Sequence, residues 1–236
     1  MPDLSPTIDG ELENAVVNFS GIDLEVVAEH EPASIALNNS ATAMGIQWVN
    51  TSGIAVQPSQ AVFEFDTSGI SAAPESATLK VYIESENNGG VDFYVVRVFL
   101  NTGGAIALAD NNSWTKASSG GSADINNITK YSDKVDYSED MTVEETNNIT
   151  LNSTALSDMA SKDRFQFSLM NYFLVDQTVG GETSGTTRTF AISSQDHSTS
   201  SRRPVLSYTM PTGRTIGNLN IMGGTHTIIG SKIVIK

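Results

Sequence analysis

Hydrophobic and polar residues alternate with a period of two along much of this chain, most clearly between Gln60 and Ser85. Phe63 and Phe65 alternate with Val62, Glu64 and Asp66; further on, Leu79, Val81 and Ile83 alternate with Lys80, Tyr82 and Glu84. A repeat of two sends successive side chains to opposite faces, so each run predicts a strand with one buried and one solvated face. Gly69 and Pro74 stop both runs and predict a corner over residues 67–76. Residues 91–100 are rich in β-branched and aromatic side chains and predict the most buried strand. Ahead of them, Asn87-Asn88-Gly89-Gly90 predicts a hairpin turn back to the strand ending near Ser85.

Similar short runs recur on both sides. Strands are predicted over 15–19, 24–28, 45–50, 148–151, 164–170, 172–175, 187–193 and 204–210, with a loop over 53–59 held by Pro58. Residues 101–138 form a polar excursion whose large apolar anchor is Trp114. Residues 153–162 predict a helical turn with Ser153 or Thr154 as its N-cap, and no helix of ordinary length is expected elsewhere. Many short strands, frequent turns and little helix predict an all-β, jelly-roll β-sandwich with a C-terminal β arm. The sandwich is expected over 45–210, with residues 1–44 an N-terminal segment partly within it and 211–236 the arm.

The arm is apolar and broken by glycine pairs. Ile216, Leu219, Ile221, Ile228, Ile229, Ile233, Val234 and Ile235 are its β-prone residues. Such a ribbon left in water is an aggregation hazard, so it is expected to pair with its own sheet or, by strand addition, with a neighbouring chain. A homo-oligomer is the expected state.

Composition narrows the function. At 236 residues the chain can bury a sizeable core, and 39% hydrophobic against 17% charged residues excludes a disordered chain. No run of about eighteen apolar residues predicts a membrane helix. The opening Met-Pro-Asp-Leu-Ser-Pro lacks the basic and apolar parts of a secretory signal, so the protein is expected either to be kept without export or to have had its signal removed. There is no cysteine, which excludes disulfides and thiolate metal sites. With 27 acids against 13 bases the net charge is −14, which would repel a nucleic acid.

Candidate chemistry is sparse. His30, His197 and His226 are too far apart for a metal spacing. There is no Gly-x-Ser-x-Gly elbow or phosphate loop, so no enzyme and no cofactor are expected. Asp66, at a strand end, is expected to accept hydrogen bonds in the corner. Asp133, Asp136, Glu139 and Asp140 form an acidic cluster of the hard oxygen ligands calcium takes, without the spacing of a known calcium loop. Trp114 is the candidate glycan contact, because an exposed indole can stack on a sugar ring, whereas Trp48 and Tyr94 read as core. Arg202-Arg203 is expected to answer acidic surface rather than nucleic acid.

Phe63-Glu64-Phe65-Asp66-Thr67-Ser68-Gly69-Ile70, followed by Ala77-Thr78-Leu79-Lys80-Val81-Tyr82-Ile83, resembles the strand-corner-strand signature of the DNRLRE-type jelly-roll domains. Asn112-Ser113-Trp114 resembles their tryptophan in a polar loop. Ser194-Gln195-Asp196-His197 with Arg203-Pro204-Val205-Leu206-Ser207-Tyr208 resembles their closing strand. The likeness spans about residues 46–210, and the run that gives the family its name is absent. It implies a β-sandwich without catalytic residues, of a kind found in cell-surface proteins and phage virions. Together with the acidity and the arm, it points to a virion structural protein: a decoration, fibre or tail-associated subunit among other virion proteins. The alternatives are a carbohydrate-binding module on a cell-surface glycan, or an extracellular adhesive filament subunit.

Overall fold

A computed structural model describes residues 2–13, 17–18, 43–51, 55–56, 59–100, 127–176, 187–212, 226–229 and 232–235. The alternating runs are extended, as their period demands. In chain order the strands are β1 (Asp3–Leu4), β2 (Ile8–Glu13), β3 (Val17–Asn18), β4 (Ala43–Thr51), β5 (Ala55–Val56), β6 (Ser59–Asp66), β7 (Ser76–Asn87), β8 (Phe93–Arg97), β9 (Thr146–Thr150), β10 (Arg164–Asn171), β11 (Thr187–Ser193), β12 (Val205–Thr209), β13 (His226–Ile229) and β14 (Lys232–Ile235). Among the described residues three short α-helices interrupt them, α1 (Tyr137–Asp140), α2 (Ser153–Ser161) and α3 (Tyr172–Val175), with a 3-10 turn at Ser200–Arg202. No helix among the described residues is long and apolar enough to cross a membrane.

The architecture is the all-β sandwich expected from the alternation, two antiparallel sheets packed face to face. One layer sets β1, β12, the first half of β7 and β9 side by side. The other sets β2, β6, β10 and β8 side by side. β7 is long enough to leave its layer: residues 83–87 pair with β11, which in turn pairs with β4. β11 and β12 both run antiparallel to β7, and residues 194–204 loop out between them.

The core follows from the apolar faces. Ala77, Leu79, Val81 and Ile83 of β7 are buried, and the residues between them are half-exposed. They share one continuous core with Phe63, Phe65, Phe165, Phe167 and Leu169 of the β6–β10 pair. Phe65 and Phe167 stack at 5.6 Å between ring centres and 12° between planes. Tyr131 stacks on Phe165 at 5.0 Å, and Phe93 of β8 meets Phe190 of β11 at 5.3 Å. Each buried ring is worth about 1.5–3 kcal/mol of transfer free energy, and each ring pair about 0.5–1.5 kcal/mol more.

β6 departs from the sequence expectation of one wet face, since every residue from Ser59 to Phe65 is buried. It is also more uniformly buried than β8, which was expected to lie deepest. Its polar side chains survive burial because they are paired within the protein. Ser168 Oγ donates to Gln60 Oε1 at 2.8 Å, Gln166 Nε2 donates to Glu64 Oε2 at 2.7 Å, and Arg164 forms an ion pair with Glu64.

The Asn87–Gly90 turn is not a hairpin. β7 and β8 share no ladder; β8 pairs with β10 in the opposite layer. Asn88, Gly89 and Gly90 take φ values of 56°, 80° and 63°, and this left-handed run carries the chain across the sandwich. Asn88 Nδ2 donates to the Thr187 carbonyl at 2.7 Å, tying the corner to β11. The Tyr137 ring lies over Gly90, where a Cβ would come within 2.4 Å of a ring carbon.

Three further local expectations are corrected. Residues 172–175 form the helical turn α3 instead of a strand, because Asn171 Oδ1 accepts from Leu174 N at 3.1 Å and caps it. α2 begins at Ser153, where the helical turn was expected, but its cap is Asn152 and not Ser153 or Thr154: Asn152 Oδ1 accepts from Thr154 N and Ala155 N at 3.0 and 3.1 Å. Within the expected loop over 53–59, Ala55–Val56 pairs with β3 and β4, and Ser59 already belongs to β6. Of the two strands expected near the start, the one over 24–28 lies outside the described residues; the other is represented by Val17–Asn18, which pairs with β5.

The loop at residues 194–204 is locked to the sheets through Glu84 of β7. Glu84 accepts from the Ser193 hydroxyl and from Arg202 Nη1 (2.9 Å), and His197 Nε2 lies 3.2 Å from its carboxylate. Arg202 also lies over the Tyr82 ring at 4.4 Å, so this arginine answers the chain's own acid, as expected. Asp9 of β2 reaches the same loop, where its Oδ2 accepts from Gln195 N at 2.6 Å. Burial pushes the Asp9 carboxyl up to about 6, with nearby Asp196 adding to the rise.

Two outcomes follow from these contacts. Gly90→Ala should cost at least about 2 kcal/mol, combining a left-handed alanine with an overpacked Tyr137 ring, measured by chemical denaturation. Because the folded state raises the Asp9 pKa above its unfolded value, the associated stability is present below about pH 4 and lost as pH rises through 6. Asp9→Asn should therefore flatten the decline in stability between pH 4 and 7 by as much as about 3 kcal/mol, read from melting curves across that range.

Candidate assembly surface

The ribbon expected after residue 210 is seen at its two last pieces. β13 and β14 pair antiparallel, His226 opposite Ile235, Ile228 opposite Ile233 and Ile229 opposite Lys232. Among the described residues they form a two-stranded sheet of their own, sharing no ladder with the sandwich strands. This places Ile228, Ile229, Ile233, Val234 and Ile235 in the hairpin. Ile216, Leu219 and Ile221 lie outside the described residues, as does Trp114, the candidate glycan contact. Trp48 lies in β4, and Tyr94 is buried in β8.

A second feature is the edge at β9. This strand pairs with β7 alone among the described residues. Leu151 N donates to the Ala77 carbonyl and Ile83 N to that of Glu145, so the odd-numbered residues carry the ladder to β7. By the antiparallel pattern, the N–H and C=O groups of Thr146, Asn148 and Thr150 point the other way. All three residues are exposed.

Opposite this edge runs the segment around Tyr131–Val135. Tyr131 N donates to the Val95 carbonyl at 2.7 Å, and Phe93 and Val135 exchange backbone hydrogen bonds, so the segment closes the outer side of β8. Asn152 N donates to the Tyr131 carbonyl at 2.8 Å and joins the two walls at one end. Between them lies an open cleft of about 270 Å³, lined in part by Asp133, Asp140, Asn148 and Thr150. The wall is braced from below: the Tyr131 hydroxyl donates to Asp158, to which Lys162 Nζ also donates at 2.6 Å. Burial, and then the Asp158 hydrogen bond, drive the Tyr131 hydroxyl pKa far upward, so it remains a donor.

Of the four acids in the cluster of calcium-type ligands, Asp133 and Asp140 line this cleft. Asp136 caps α1: its Oδ1 accepts from Ser138 Oγ at 2.7 Å and from Ser138 N at 3.0 Å, holding the carboxyl below its usual range. Asp140 Oδ2 accepts from Asp136 N at 3.0 Å. Among the described residues no three of His, Asp or Glu come together as metal ligands. Lys134 Nζ donates to Asp92 at 3.0 Å, mainly through which its ammonium pKa is raised. Asp66 is the corner acceptor expected of it, taking Ser68 Oγ at 2.6 Å and Ser68 N at 3.0 Å.

The histidines do not converge. His197 belongs to the Glu84 contacts, His226 opens β13, and His30 lies outside the described residues. The sequence reading missed the open edge of β9 and the buried Asp9. A strand was legible near residue 148, but being at an edge is a property of the sheet. Nothing in Ile8-Asp9-Gly10 marks its acid as buried.

Tyr131→Phe should lower stability by about 1.5 kcal/mol, the low end of the net worth of one hydrogen bond to a charged acceptor, as measured by urea denaturation. No protein-family model matches the chain, and no curated protein matches it in sequence.

Proposed function

We propose that this chain is a non-enzymatic structural subunit that assembles with copies of itself through β-strand contacts. The observation that carries the reading is the β13–β14 sheet, which among the described residues is paired within itself and to no strand of the sandwich. An isolated two-stranded ribbon is marginally stable in water, and its outer edges offer unpaired backbone groups. Five of its eight residues are branched aliphatics, which favour an extended partner and an apolar seat. A sandwich with a continuous core and a ribbon paired as a separate two-stranded sheet among the described residues suit the two parts of a strand-exchanging subunit. The setting that fits, given the resemblance to the DNRLRE-type jelly-roll domains, is the outside of a phage particle, as a decoration, fibre or tail-associated protein.

Deleting residues 213–236 should leave a folded sandwich with unchanged far-ultraviolet circular dichroism that sediments as a monomer, whereas the full chain sediments as an oligomer. An oligomer that survives the deletion, or a full chain that is monomeric at high micromolar concentration, would remove the basis for the reading.

A further inference from the structure

We propose that the open edge of β9, with the cleft beside it, receives the β13–β14 hairpin of a second copy. This rests on the assembly reading above and supplies its missing half, the acceptor. Three observations converge on it. The backbone groups of Thr146, Asn148 and Thr150 face away from β7 and find no strand among the described residues. The five residues of β9 match the four-residue strands of the hairpin in length, so one hairpin edge can continue the β9 ladder. Charge then selects the occupant. All 27 acids of the chain precede residue 211, while residues 211–236 carry three bases, Arg214, Lys232 and Lys236, and no acid.

The receiving side is acidic. Asp133 and Asp140 line the cleft, and Glu144 and Glu145 stand directly ahead of β9. The cation in the cleft wall, Lys134, is already paired with Asp92. Asp133 has no ion pair among the described residues, so it is available to a lysine brought in by the hairpin. Strand addition supplies the affinity through main-chain hydrogen bonds, and the opposite charges steer the approach and fix which ribbon is accepted. The acceptor and donor lie on the same chain, so each copy can give one hairpin and take another. Such a head-to-tail contact builds rings or filaments.

Asn148→Pro removes an outward N–H while leaving the β7 ladder, which uses the odd-numbered residues, in place. It should weaken self-association about tenfold or more, read as a shift in the dissociation constant by sedimentation, with the body's circular dichroism unchanged. Because a proline can disturb a strand, a second arm uses the chain's lack of cysteine. Asn148→Cys on one copy and Thr227→Cys on a second copy of different tag length should form a disulfide-linked heterodimer on mild oxidation, and Asn148→Cys with Ser85→Cys should not.

If the hairpin deletion dissolves the assembly but Asn148→Pro and the cysteine pair have no effect, the acceptor is wrong and the donor reading stands. If the deletion itself has no effect, the donor reading falls and this one with it. A disulfide confined to a single chain carrying both Asn148→Cys and Thr227→Cys would overturn the second copy as occupant.

Discussion

The antiparallel pairing of β6 with β10 is the contact on which the rest of this sandwich depends. It brings Phe63, Phe65, Phe165 and Phe167 onto one face, where Phe167 lies 5.3–5.6 Å from each of the other three rings between centres. On the other face the same register sets Gln166 opposite Glu64 and Ser168 opposite Val62, next to Gln60. The strand is therefore held by apolar burial on one side and by paired polar groups on the other. Losing the register by one residue would exchange those faces, leaving Glu64 among rings and phenylalanines among polar groups. Register and burial are thus a single constraint, and α2, β8 and the Tyr131 segment are arranged around it.

How much of this could be read from the residues depends on whether a feature is local. β7 and β11 were legible because their alternation is uninterrupted, and β11 spans the residues expected of it. The corner at Asn88 misled because Asn-Gly specifies left-handed backbone, which serves a crossing between layers as readily as a hairpin; the choice is made by Tyr137 and Thr187, far along the chain. The buried outer face of β6 was hidden for a similar reason. Glu64 reads as solvated until Arg164 and Gln166, a hundred residues on, are placed beside it. In the candidate surface, the hairpin was legible as apolar β pieces between glycines. The edge at β9 was not, since an edge is defined by which strand fails to arrive.

Charge is also unevenly placed, and this bears on the arrangement as a whole. Several acids of the body hold its fold: Asp136 caps a helix, Asp66 holds a corner, Asp158 braces Tyr131 and Glu84 secures a loop. These contacts give the acidic surface a definite geometry, where a solvated fringe would have none. The basic ribbon is the complementary part of the same sequence.

Asp3 lies opposite Ser207 and Leu4 opposite Leu206. During synthesis the first strand emerges roughly two hundred residues before its partner, a wait of about 10–40 s at ordinary ribosomal rates. The layer containing β7 cannot be finished until β12 has left the exit tunnel, so half-made sheets with bare edges must be kept apart meanwhile. A net charge of −14 favours that separation, since like-charged chains repel, and the basic, self-pairing ribbon is translated after the body's last strand.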